Sequence, residues 1–188
     1  MTALVAGLNR RAIEQCPHFA VHSSVVARNA NVVAIPAESG GGKTTLAAAL
    51  VKTGFSYLSD EALVLTDSGE VIPYPKPFAL SPWSAEQLGV GHTGDETLVR
   101  SEDLGGLDGR PPGNLTDVIL SEYGHDGAVL EPLPRSQAMI SLLNLSFNHY
   151  KDPERAYRIS SSVAQEVDVW QLRYSDPIEA AELIKETL

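Results

Sequence analysis

Eight consecutive residues, Ala37-Glu38-Ser39-Gly40-Gly41-Gly42-Lys43-Thr44, carry the sharpest chemistry in the chain. They match the phosphate loop G-x-x-x-x-G-K-S/T, with alanine at the first glycine position. Glycines let successive backbone N–H groups curl around a phosphate without Cβ clashes. A helix opening near Lys43 points its positive dipole end at the same spot. Lys43 suits the β- and γ-phosphate oxygens of a nucleotide, and the Thr44 hydroxyl suits Mg²⁺. Contacts to a nucleotide are therefore expected along Ala37, Glu38, Ser39, Gly40, Gly41, Gly42, Lys43, Thr44 and Thr45. Two residues sit awkwardly in this scheme. Ala37 is strained if the first loop position needs a positive φ, and Glu38 brings a negative charge close to phosphates.

A second chemical feature follows the loop. Asp60-Glu61 come 17 residues after Lys43. A ten-residue helix carries the chain ~15 Å from the phosphates at ~1.5 Å per residue. A strand over Phe55 to Ser59 returns ~17 Å at ~3.3 Å per residue. Asp60 is thus expected level with the loop, at the carboxyl end of a strand, where α/β sheets bind ligands. A carboxylate there can hold Mg²⁺ or accept a proton from an incoming hydroxyl. The plainer alternative is a pair of solvated turn acids.

Other candidates are less specific. His22 lies on the strand before the loop strand, where a histidine is most often structural unless a hairpin brings it to the γ-phosphate. Cys16 reads as a small buried hydrophobe. Asp67 ends Leu63-Val64-Leu65-Thr66 like a Walker-B acid, but Ser68-Gly69 make it a turn residue. Lys76 is rigidly presented between Pro75 and Pro77 and has two readings, a phosphate contact or, the more usual one, a solvated surface lysine. Arg135, Arg155 and Arg158 are unranked candidates for a charge-stabilising arginine.

The elements that must position these groups are legible in outline. Residues 2–15 have a helical rhythm, and Phe19 to Arg28 reads as a Val-rich strand. Asn29-Ala30-Asn31 is turn chemistry, and Val32 to Ile35 is a short buried strand. Thr44 to Thr53 is a helix with Gly54 as its C-cap. Ala62 to Thr66 and Glu70 to Tyr74 flank a hairpin turn. Gly89 to Asn114 reads as a long mobile loop. Leu115 to Tyr123 and Val167 to Tyr174 are strands, and Arg135 to Asn148 is an amphipathic helix. Asp152-Pro153 and Asp176-Pro177 are helix starts. Hairpins mixed with βα units make the class α/β with a mixed sheet.

Length and composition narrow the choices. At 188 residues, the chain is expected to be a single domain spanning 1–188. With 43% apolar and 20% charged residues it belongs among globular chains. No apolar run reaches the ~18 residues that a spanning helix needs, so no membrane partner is expected. The net charge of −10 offers no basic face for nucleic acid. Cys16 is the one cysteine, which excludes an intrachain disulfide and leaves a cytoplasmic location as the default.

Taken together, His22, Lys43 21 positions later and Asp60 17 positions after that resemble the catalytic domain of HPr kinase/phosphorylase. The likeness runs over residues 19–66: a histidine strand, a short turn, an apolar strand, the loop at Ala37 to Thr44, a helix ending in Gly54, then an acid pair. The resemblance implies a P-loop fold of the phosphoenolpyruvate-carboxykinase type, with a mixed sheet and flanking helices. It implies a serine kinase using ATP and Mg²⁺, with a peptide, protein or small alcohol as acceptor, and a homo-oligomer. It assigns Asp60 as general base, His22 and Lys43 as catalytic groups near the γ-phosphate, and Thr44, Asp60 and Glu61 to the metal. Ala37 and Glu61 depart from that family's pattern, which has glycine and a second aspartate there. No downstream signature for binding HPr is present. With only 21 residues before His22, no N-terminal regulatory domain is expected, and the compact form looks more like HPr-kinase-like enzymes that tailor bacterial peptide natural products such as lasso peptides. Two other readings of the loop are a P-loop ATPase or switch, with Glu61 activating water, and a non-catalytic nucleotide-binding regulator.

Overall fold

The computed structural model describes residues 2–38, 40–106 and 113–188, without the side chains of residues 1–6 and 10. In chain order the elements are α1 (Thr2–Glu14), β1 (Phe19–Arg28), β2 (Asn31–Pro36), α2 (Lys43–Lys52), β3 (Ser56–Ser59), β4 (Ala62–Leu65), β5 (Val71–Ile72), β6 (Phe78–Leu80), α3 (Pro82–Gln87) and β7 (Thr97–Val99). There follow β8 (Asp117–Tyr123), β9 (Val129–Leu133), α4 (Ser136–Asn144), α5 (Pro153–Glu166), β10 (Asp168–Tyr174) and α6 (Pro177–Thr187). No described helix is long and apolar enough to cross a membrane.

The main sheet runs β5-β4-β1-β2-β8-β10-β9, with β3 also paired to β1. Side chains alternate across it. On one face Val26, Val33, Ile35, Tyr57 and Ile119 pack against α2 and α6. On the other, Val25, Ala34, Leu58 and Val118 pack against α4 and α5. The result is a mixed sheet between two helical layers.

Strand direction explains why chemistry collects at one edge. Both β2 and β3 run antiparallel to β1, so they are parallel to each other. In turn β8 is parallel to β2, and β10 to β8. The carboxyl ends of β2, β3, β8 and β10 therefore share one edge, and the glycine loop, Asp60, Tyr123 and Tyr174 all lie there.

Local chemistry accounts for several boundaries. Asn29, the one non-glycine residue with positive φ among the described residues (56°), turns β1 into β2. Asp152 and Asp176 cap α5 and α6 through their carboxylates, each followed by proline. Pro132 lies in β9, an edge strand, where a missing N–H is tolerated.

Two expectations are corrected, and one strand was not expected at all. The proposed 89–114 loop contains β7, which pairs with β6, and Val99 and Leu104 sit in the core beside α2. Gly106 approaches α2 so closely that an added Cβ would lie 2.2 Å from Val51 Cγ1. Its positions 107–112 lie outside the described residues. The helix expected over Arg135 to Asn148 stops at Asn144, because Ser146 and Phe147 turn back to hydrogen-bond Ala20 of β1. Finally, β9 had no expectation, since Glu131 and Pro132 interrupt any apolar alternation.

Candidate functional site

The loop leaves the buried end of β2 and delivers the chain into α2. Gly42 caps α2 at φ 76°, a conformation that suits glycine. Gly40 is also left-handed, at φ 84°. Ala37 has no positive φ, so alanine is unstrained there. Its Cβ instead limits position 41, where an added Cβ would come within 3.0 Å. Ser39 lies outside the described residues. Lys43 is buried, and burial lowers its pKa, while the charges of Asp60 and Glu61 oppose that shift. Lys43 and the acid pair thus lie close enough to feel each other's charge.

Asp60 and Glu61 occupy a break in a strand. The register pairs Val25 with Ser59 and His22 with Ala62, which sets Asp60 opposite Ser24. The Ser59 hydroxyl accepts from the backbone N–H of Ala62 at 3.2 Å and so stabilises the bend. Asp60 is 3% exposed, and Ser24 Oγ donates to its Oδ1 at 2.6 Å. Burial raises the Asp60 pKa; hydrogen bonds from Ser24 and Thr44 and the charges of Lys76 and Lys43 pull against that rise. The Asp60 carboxyl is thus a buried group held between hydroxyls and two ammonium ions.

His22 and Ser24 share a face of β1, two residues apart. The backbone N–H of His22 donates to Leu145 O at 2.8 Å, and its ring meets Phe147 edge-on at 5.4 Å. Its pKa falls to about 4, chiefly through burial and also through Lys43 and Lys76, against an opposing pull from Glu61. The imidazole is neutral at pH 7.

Lys76 is not the solvated lysine expected from the sequence. Its Nζ lies 3.3 Å from Glu61 Oε2 and 3.9 Å from Asp60 Oδ2. The Tyr57 hydroxyl donates to Lys76 O at 2.7 Å, and the ring of Tyr57 is buried against Phe78. That anchor, together with Pro75 and Pro77, aims the ammonium group at the acids. Ser24 was a site residue that sequence reasoning missed, and Lys76 one for which the solvated reading was preferred over a phosphate contact. The alternation His22-Ser23-Ser24 carried a signal for the first; for the second, the flanking prolines signalled rigid presentation but not its direction.

Other candidates fall elsewhere. Asp67 pairs with Arg155, and Arg135 with Asp168, both through helices on the sheet face opposite α2. Arg158 is exposed on α5. Cys16 is half-buried beside Ile13 and Ala20.

Among the described residues no group of three or more His, Cys, Asp or Glu side chains could hold a metal on its own. The donors at the loop are the Thr44 hydroxyl and the Asp60 and Glu61 carboxylates, all hard oxygens. One or two carboxylates with phosphate oxygens suit Mg²⁺ arriving with a nucleotide.

No protein-family model matches the chain, and no curated protein matches it. Among solved structures it is similar to the Hpr(Ser) kinase/phosphatase from Coxiella burnetii, at 10% sequence identity and a TM-score of 0.38, with 89% of each chain covered. That likeness of shape is too slight to carry residue roles from one chain to the other.

Proposed function

We propose that the protein is an ATP-dependent phosphotransferase acting on a serine-type hydroxyl of a peptide, protein or small alcohol. The observation that carries this reading is the buried Asp60 carboxyl. It is held by Ser24 at 2.6 Å, beside Lys76 and electrostatically coupled to Lys43 at the head of α2. A raised carboxyl pKa is what a general base working near neutral pH needs.

In this scheme the loop amides and Lys43 hold the β- and γ-phosphates. The acceptor oxygen attacks the γ-phosphorus in line. The bond from that phosphorus to the β–γ bridging oxygen breaks, ADP leaves with the electron pair, and Asp60 takes the hydroxyl proton. Lys43 and Lys76 neutralise charge on the transferring group, and neutral His22 offers a ring nitrogen beside it. Thr44, Asp60 and Glu61 are the groups that would hold Mg²⁺, which supplies charge neutralisation of the phosphates when bound.

The test is transfer of label from γ-labelled ATP, scored against nucleotide affinity by calorimetry. Asp60→Asn should lose transfer by ~10²–10⁴-fold with ATP affinity within a few-fold. Lys43→Ala should lose both. Unchanged transfer in Asp60→Asn sinks the base role. Steady phosphate release with no labelled acceptor would favour an ATPase.

A further inference from the structure

A second feature of the loop lies on its other side. Thr44 and Thr45 are consecutive helical residues, so their side chains diverge by roughly 100°. Thr44 turns to Asp60, whereas Thr45 Oγ1 lies 2.7 Å from Ser84 Oγ of α3. A cavity of about 350 Å³ begins at Lys43 and Thr44 and continues past Thr45 to Ser84, Trp83, Tyr123 and Tyr174. Trp83 is 42% exposed and Tyr123 is 52% exposed, an unusual state for two large rings in contact with each other. Their centroids are 5.4 Å apart, and Tyr123 stands 5.6 Å from Tyr174. The Tyr174 hydroxyl touches the loop itself: a Cβ at Gly42 would lie 2.9 Å from it. An aromatic wall thus stands beside the phosphate loop, on the Thr45 side.

We infer that this cavity is the base pocket of the nucleotide, with the aromatic ring of the base lying against Trp83 and Tyr123. The inference rests on the reading that the loop holds phosphates. A nucleotide whose terminal phosphate meets Asp60 is laid across α2, and its other end reaches the Thr45 side. A flat π-face is the chemistry that exposed indole and phenol rings recognise, through stacking. The short α3 presents Trp83 rigidly, because Ser81 caps it from its side chain and Pro82 opens it.

The experiment compares two probes on the whole chain by calorimetry: ADP and inorganic tripolyphosphate. Trp83→Leu and Tyr123→Leu should each weaken ADP by about 5- to 100-fold and leave tripolyphosphate within twofold, while Tyr123→Phe keeps ADP affinity. ADP binding should also quench tryptophan emission in the parent chain but not in Trp83→Leu, which retains Trp170. Unchanged ADP affinity in both leucine variants, with tripolyphosphate still bound, overturns the base pocket and spares the phosphate loop. Equal weakening of both probes also overturns it, since the rings would then act by shaping the loop. If neither probe binds the parent chain, the phosphate-loop reading falls and the base pocket falls with it.

Discussion

Ser24 and Asp60 face each other across the β1–β3 ladder, joined by a 2.6 Å hydrogen bond between hydroxyl and carboxylate. A donor on an ionised carboxylate favours the ionised form. Ser24→Ala should therefore raise the Asp60 pKa further. The acid limb of the pH–rate profile for phosphoryl transfer should move to higher pH, with the plateau rate little changed. A lower plateau with an unmoved limb would mean that Ser24 acts on something other than this proton.

The same raised pKa has a stability consequence. The protonated Asp60 carboxyl is favoured by the fold, so its contribution is full below the unfolded value of 3.8 and is lost as pH rises through the higher folded value. At neutral pH the buried carboxylate opposes folding. Asp60→Asn should raise Tm at pH 7.5 by about 2–4 °C, and the gain should shrink toward pH 4. Thermal unfolding of both chains over that range is the check; a lower Tm for the variant at pH 7.5 would contradict a buried carboxylate.

His22 has the opposite sign. Its folded pKa is depressed from 6.5 to about 4, so the stability held by the neutral ring is present above pH 6.5 and is lost as pH falls toward about 4. In His22→Gln the fall of Tm between pH 6.5 and 4 should be shallower than in the parent chain. Parallel curves would show that the ring does not titrate in that window.

Lys76 bridges Glu61 and Asp60 with a side chain that is 21% exposed. The Glu61 arm is a partly exposed pair worth about 0–1 kcal/mol, but the Asp60 arm compensates a buried carboxylate, so Lys76→Met should lower the urea midpoint modestly at pH 7.5. Phosphoryl transfer should fall much further, by ~10–100-fold, because the charge faces the transferring group. Lys76→Arg should restore part of that loss. Equal loss of stability and rate would make Lys76 a structural residue only.

What one sequence determined was local. The glycines, Lys43 and Thr44 are contiguous, and a loop that curls around a phosphate is built from neighbouring backbone groups. The strands β1 and β2 and the proline-led starts of α5 and α6 were legible for the same reason, as period-2 alternation, turn residues and caps act over a few residues. Asp60 was legible because helix and strand rises are constant, so chain length converts into distance.

Tertiary structure decided the rest. Lys76 reaches Asp60 only because the buried phenol of Tyr57 holds its backbone, a contact between segments 19 residues apart. The placing of β7 within the expected loop depended on Val99 and Leu104 finding the apolar flank of α2. Trp83 and Tyr123 meet because α3 folds over the edge where β8 ends. Contacts of this kind depend on which faces pack together, and that choice is made by burial of the whole core rather than by any short stretch of residues.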